Sequence, residues 1–105
     1  MEKIQLLFID GCPNFMTASR NLEASLRLLE IDIKPEQIII NDDIEADHYS
    51  FQGSPSIKVD GVDLWEKKAD EYHIGCRVYP TPEGLKGSPT VEMLVERLRS
   101  ILNKK

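Results

Sequence analysis

Long hydrophobic runs and surplus positive charge are missing from this sequence. The longest early apolar run, from Leu6 to Ile9, is too short for the core of a signal peptide, and no run approaches the roughly 20 apolar residues of a membrane-spanning helix. Lys and Arg number 13 against 18 Asp and Glu, a formal net charge of −5, which leaves no basic surface to gather a phosphate backbone. We therefore expect no membrane partner and no nucleic-acid partner.

Cysteine is scarce as well, with two residues in a chain of 105. In a short chain without a secretory signal, two cysteines indicate a reducing compartment, where thiols serve reactivity or metal binding rather than disulfide scaffolding. We accordingly expect a cytoplasmic protein. The length and the 41% hydrophobic content fit one domain, residues 1–105, built around one core.

The hydrophobic pattern of the first half predicts alternating strands and helices. The run from Lys3 to Ile9 is nearly all apolar, which is typical of a central strand covered on both faces. From Phe15 to about Glu30 the apolar positions recur at helical spacing, and residues 37–40 are predicted to form a second short, buried strand. This order predicts a parallel β-α-β unit, followed by a short exposed helix over residues 42–49.

The second half begins with a hairpin signal. Asp60-Gly61 joins two runs of alternating apolar and polar residues, 56–59 and 62–64, and therefore predicts an antiparallel pair. Residues 65–87 have little periodicity and are predicted to form a long loop, within which only Val78-Tyr79 favours a short strand.

An amphipathic helix closes the chain. Ser88 is the predicted N-cap and Pro89 the predicted first helical residue, and the apolar stripe runs on to Leu102. The expected fold is therefore a three-layer α/β sandwich of one mixed four-stranded sheet with flanking helices, in the order β-α-β-α-β-β-α.

The residues that are candidates for catalysis or binding lie in three segments. They are Asp10-Gly11-Cys12-Pro13-Asn14 after the first strand, Gly53-Ser54-Pro55 before the third, and Cys76-Arg77-Val78-Tyr79 with the following Thr81-Pro82-Glu83-Gly84. With these segments in this order, nearly the whole chain resembles the small thioredoxin-like proteins that have a Gly-Cys-Pro-Asn-Cys motif and a later Gly-x-x-Cys-Arg-x-Tyr-type segment. Some of those proteins carry alkylmercury lyase-like labels. The resemblance implies a thioredoxin-like fold.

One departure from that pattern restricts the chemistry. Phe15 stands where a dithiol oxidoreductase has its second cysteine, so Cys12-Pro13-Asn14-Phe15 cannot close a local disulfide. A thiol just before a helix still faces unpaired N–H groups and the positive end of the helix dipole, which stabilise a thiolate. Cys12 is therefore the predicted nucleophile, and the alternative is a buried, inert thiol.

The resemblance also implies a substrate-binding wall. It implies that Ser54–Pro55 is a cis peptide that lies against Cys12 and presents main-chain hydrogen-bonding groups to an extended substrate. Pro13 and Asn14, beside the thiol, complete this candidate set. The alternative is a trans proline that merely starts the third strand.

Cys76 is the candidate replacement for the missing second thiol. If its loop folds back over the first strand–helix junction, a Cys12–Cys76 disulfide becomes feasible, provided that the two Cα atoms lie within about 7 Å. The alternative is a structural cysteine at the start of a strand. Arg77 is expected either to act on the neighbouring thiol or to pair with an exposed carboxylate.

Soft-metal binding is a second hypothesis, because thiolates select zinc, copper(I) and, by the same softness, mercury. Two sulfurs do not close a tetrahedral zinc site, so His48 or His73 would have to join them. Neither histidine has the spacing of a dedicated ligand pair, and both are interpreted as surface or locally hydrogen-bonded residues. No metal ligand is assigned.

The leading hypothesis is a thiol-dependent redox protein that needs no cofactor. In this interpretation Cys12 attacks a protein or small-molecule disulfide and Cys76 is the distant resolving thiol, which would make the chain a thiol–disulfide oxidoreductase without the usual second cysteine. A soft-metal-binding protein and a non-catalytic binding module of the same fold are the alternatives.

Overall fold

The protein is built on a mixed four-stranded sheet that has helices on both faces. The computed structural model describes residues 2–67 and 71–102. The elements in chain order are β1 (Ile4–Phe8), α1 (Phe15–Leu28), β2 (Glu36–Ile39), α2 (Asp43–His48), β3 (Ser56–Val59), β4 (Val62–Asp63), β5 (Tyr79–Thr81), β6 (Gly84–Lys86) and α3 (Val91–Leu102).

The sheet has the order β2-β1-β3-β4. β1 is parallel to β2 and antiparallel to β3, and β4 is antiparallel to β3. The central place of β1 explains its nearly uninterrupted apolar sequence. Asp60 and Gly61 both have positive φ, 52° and 86°, as a two-residue type I′ hairpin turn requires. The predicted mixed α/β sheet is confirmed.

The helices divide between the two faces of this sheet. Leu6 and Leu7 are neighbours on β1 and therefore point to opposite faces. Leu6 belongs to the larger core cluster, which includes Leu22 of α1 and Leu94 of α3, whereas Leu7 belongs to the smaller cluster with Ala46 of α2. The result is the expected three layers, with α1 and α3 on one face and α2 on the other.

The region predicted as one long loop contains a second, two-stranded sheet. β5 and β6 pair antiparallel, with Thr81 opposite Gly84. The predicted short strand at Val78-Tyr79 therefore begins one residue later and has a partner strand. The hairpin closes through the Thr81 hydroxyl, which donates to the Gly84 carbonyl at 2.6 Å.

The predicted start of the C-terminal helix was wrong by two residues. Thr90, rather than Ser88, has the side chain that accepts a hydrogen bond from the first turn, from the Met93 amide at 3.1 Å. The Pro89 carbonyl accepts from the Asn21 side chain of α1 at 2.9 Å. α3 consequently begins at Val91.

Within the described ranges, no helix combines the length and the apolar character needed to cross a lipid bilayer.

Candidate functional site

Cys12 lies in the turn that connects β1 to α1. Its amide donates to the Ile9 carbonyl at 3.2 Å, and its carbonyl accepts from the Phe15 amide at 3.3 Å. Asn14 holds the N-cap position of α1, but its side chain makes no capping hydrogen bond. The Cys12 thiol is free and half-buried, three residues ahead of the first helical residue.

Phe15 occupies the position where a dithiol motif has its second cysteine, and its side chain packs into the protein there. Its ring lies on the ring of Phe8, with centroids 4.1 Å apart, and it contacts the larger core cluster. A cysteine partner for Cys12 therefore has to come from outside this turn.

Ser54 and Pro55 are buried and joined by a cis peptide bond, as the resemblance implied. The Ser54 hydroxyl accepts a hydrogen bond from the Ile9 amide at 3.1 Å, which connects it to the turn that contains Cys12. The Tyr79 hydroxyl donates to the Pro55 carbonyl. Ser54–Pro55 is thus fixed between the end of β1 and the start of β5.

Cys76 is brought beside Ser54 by a short parallel bridge. The Ser54 amide donates to the Gly75 carbonyl at 2.8 Å, and the Arg77 amide donates to the Ser54 carbonyl at 3.1 Å. The Cys76 thiol is free and exposed. The segment Gly75–Arg77 therefore folds back onto the residue that also contacts the end of β1.

Arg77 anchors this segment through a buried guanidinium group. Nη1 donates to Asp63 Oδ2 at 2.9 Å and to Ser56 Oγ at 3.0 Å. Nη2 donates to the Trp65 carbonyl at 3.0 Å, and the guanidinium lies 4.7 Å from the centroid of the Tyr79 ring. The prediction of an exposed carboxylate partner was wrong, because Asp63 is buried on β4.

Gly53 allows the close approach of Arg77 to the main chain ahead of Ser54. Its φ is 109°, and a Cβ at this position would lie 2.7 Å from Arg77 Cβ and 3.3 Å from Arg77 N. A side chain on residue 53 would therefore displace the segment Gly75–Arg77. The sequence contains one signal for this contact, a glycine directly before Ser-Pro, which the sequence interpretation left without a role.

A cavity of about 350 Å³ opens beside Cys76. Phe51, Tyr72 and Lys67 are among the residues that line it, together with Cys76 itself, while Cys12 is not. The two thiols therefore differ in access, since Cys76 is exposed at a cavity and Cys12 is half-buried in a turn.

His73 lies at the rim of the same cavity, between two carboxylates. Its Nε2 is 3.0 Å from Glu71 Oε2 and its Nδ1 is 3.5 Å from Asp43 Oδ2. Hydrogen bonds to Glu71 and then Asp43 raise the pKa of His73. The Ile74 amide, which donates to Asp43 at 2.9 Å, is the main cause that lowers the pKa of Asp43.

The remaining candidate residues have separate surroundings. Pro13 is exposed, and the Asn14 side chain lies against Gly87, where a Cβ would come within 2.1 Å of Asn14 Nδ2. The exposed His48 packs edge-on against Tyr49, with ring centroids 5.0 Å apart. Among residues 2–67 and 71–102, no group of three or more His, Cys, Asp or Glu side chains is arranged to hold a metal ion.

No family model matches the chain, and the comparison with curated proteins returns no match either.

Proposed function

We propose that this protein carries out thiol–disulfide exchange on a thioredoxin-like fold, with Cys12 as the attacking thiol and Cys76 as its partner. The observation that supports this proposal most strongly is the double connection of Ser54. Its main chain bonds the segment Gly75–Arg77, and its hydroxyl bonds Ile9, whose carbonyl accepts from the Cys12 amide. Two free thiols distant in sequence thus lie on segments that meet at one residue.

The exchange proceeds in two steps. The Cys12 thiolate attacks one sulfur of a disulfide RS–SR, which forms a Cys12–SR mixed disulfide and releases RS⁻. The Cys76 thiolate then attacks the Cys12 sulfur, which closes Cys12–Cys76 and releases the second RS⁻. The two protein thiols lose two electrons and two protons, and the substrate leaves as two RSH molecules.

The surroundings of the two thiols are consistent with this chemistry. Cys12 lies in the turn that leads into α1, two residues before the N-cap Asn14. Neither cysteine is joined in a disulfide, so both are available for exchange. The net charge of −5 disfavours nucleic acid as a partner.

The test is a thiol count before and after mild oxidation with bis(2-hydroxyethyl) disulfide, followed by mapping of the disulfides by mass spectrometry. The native protein should lose both thiols and yield an intramolecular Cys12–Cys76 bond. Cys76→Ser should stop at a mixed disulfide on Cys12, because the resolving thiol is gone.

Cys12→Ser is the matched variant, in which no intramolecular bond can form. Two thiols that stay free in the native protein under these conditions would overturn the proposal. A mixed disulfide that persists on Cys12 in the native protein would leave Cys12 reactive and remove Cys76 from the mechanism.

A further inference from the structure

Both main-chain hydrogen-bonding groups of Ser54, the N–H and the C=O, are bonded to other residues of the same chain. Its N–H donates to Gly75 and its C=O accepts from Arg77, so the segment Gly75–Arg77 lies beside it as a strand would. An extended peptide that binds by strand addition needs these same main-chain groups free. In this conformation no extended substrate can pair with Ser54.

Displacing the segment would break a buried ion pair. Arg77 and Asp63 have side chains that are only 6% and 1% exposed, and their nitrogen and oxygen atoms are 2.9 Å apart. Displacement would carry Arg77 away with the segment and leave the Asp63 carboxylate buried without its partner, which proteins tolerate poorly. The guanidinium also gives up its bonds to Ser56 and Trp65. The segment is therefore a fixed part of the site rather than a loosely held flap.

We propose that the segment Gly75–Arg77, held in place by Arg77, permanently occupies the main-chain hydrogen-bonding groups of Ser54. It thereby excludes extended polypeptides and restricts the thiol pair to small-molecule disulfides. This inference rests on the proposed function. Arg77 is in this role a positioning residue, since it acts through the main chain of Ser54 and through Cys76.

The cavity beside Cys76 agrees with a small substrate. Its volume of about 350 Å³ lies at the lower end of the range for small-ligand sites. Cys76 lines this cavity and is exposed, so a small molecule can reach the resolving thiol without pairing with Ser54, whereas Cys12, which begins the exchange, lies outside the lining of the cavity. The reaction is the exchange given above, with RS–SR a low-molecular-weight disulfide.

The test compares two disulfides that share the 2-mercaptoethanol leaving group when the protein thiol attacks the cysteine sulfur of the peptide. One is bis(2-hydroxyethyl) disulfide, and the other is the mixed disulfide of 2-mercaptoethanol with a cysteine in the middle of a short unstructured peptide. We expect the native protein to react at least about tenfold faster with the small disulfide, a difference near 1.4 kcal/mol.

A double variant then loosens the segment without leaving a buried charge. Arg77→Met combined with Asp63→Leu replaces the ion pair by apolar groups, a change that proteins often tolerate. The preference for the small disulfide should fall severalfold, through faster reaction of the peptide. Arg99→Met, at an exposed position on α3, is the control and should leave the preference unchanged.

Amide hydrogen exchange gives a readout that needs no variant. The Arg77 amide is bonded to Ser54, so its exchange should be strongly protected in the native protein and faster in the double variant. An unprotected Arg77 amide, or a native protein that reacts equally fast with both disulfides, overturns the inference and leaves the proposed function standing. If neither disulfide oxidises the native protein, the proposed function itself fails.

Discussion

At the scale of single residues, two buried polar side chains fix the geometry around Pro55. Burial raises the pKa of Tyr79 above its usual range, so its hydroxyl stays protonated and continues to donate to the Pro55 carbonyl. The Arg77 guanidinium donates to the buried Asp63 carboxylate at 2.9 Å. The contact of Tyr79 with Pro55 is therefore insensitive to pH near neutrality, unlike the exposed contacts of His73.

The contacts of His73 predict a pH dependence in the loop that leads to Cys76. The pKa of His73 is raised in the folded protein, so its stabilising contribution is complete below the pKa of the unfolded chain and is lost as pH rises through the folded value. The lowered pKa of Asp43 has the opposite sign, and its contribution is lost as pH falls through the folded value. The contact is strongest between these limits, in mildly acidic solution.

An NMR titration of the His73 ring protons tests this prediction. The midpoint in the native protein should lie above that of the same residue in denaturant, and Asp43→Asn should lower it. Asp47→Asn, on the same helix, is the matched control and should leave the midpoint in place. Equal midpoints in the native and denatured protein would contradict the prediction.

At the scale of elements, the sequence predicted correctly those strands, helices and turns that depend on neighbouring residues alone. Three such elements are present: β1, predicted from its apolar run, α1, predicted from its helical spacing, and the turn at Asp60-Gly61. Each is encoded by residues that are close together in the sequence. The β5–β6 hairpin was missed because its strands have three residues each and because Pro80 in β5 weakens the strand pattern. The start of α3 was misplaced because Ser88-Pro89 and Thr90 both fit the start of a helix, and Thr90 is the residue whose side chain accepts from the first turn.

Thr90 is accordingly the cap whose loss should weaken α3. Thr90→Ala removes the acceptor for the Met93 amide and should lower the free energy of unfolding by about 1 kcal/mol, measured by chemical denaturation. Thr90→Ser keeps the hydroxyl and should retain most of the stability. Ser88→Ala, at the position that the sequence indicated, should have the smaller effect, and a larger loss there than at Thr90 would refute this assignment.

At the scale of the whole molecule, the three-layer fold brings together segments that the sequence keeps far apart. The pairing of Cys76 with Ser54 spans more than 20 residues and depends on the Arg77–Asp63 ion pair and on the absence of a side chain at Gly53. Sequence reasoning named the individual residues of the candidate site, Cys12, Ser54, Pro55 and Cys76. It could not determine their arrangement, because no local pattern encodes contacts between a loop and a distant strand end.

Oxidation of the thiol pair should stabilise the whole fold. A Cys12–Cys76 bond closes a loop of about 64 residues, which in the chain-entropy model adds up to about 4 kcal/mol to the free energy of unfolding. Urea denaturation of the oxidised and reduced forms measures the difference, and Cys76→Ser should show none under the same oxidising conditions. A lower midpoint for the oxidised form would mean that the bond forms only by distorting the fold.

Trp65 gives the protein an intrinsic optical probe. It is the only tryptophan, so the indole emission of the chain comes from one place. Its ring lies edge-on to Tyr79 at 5.4 Å, and its carbonyl accepts from the guanidinium of the residue that follows Cys76. A change in the bonding state of that cysteine should therefore shift the tryptophan fluorescence, so that turnover can be followed in real time without a dye or a labelled substrate.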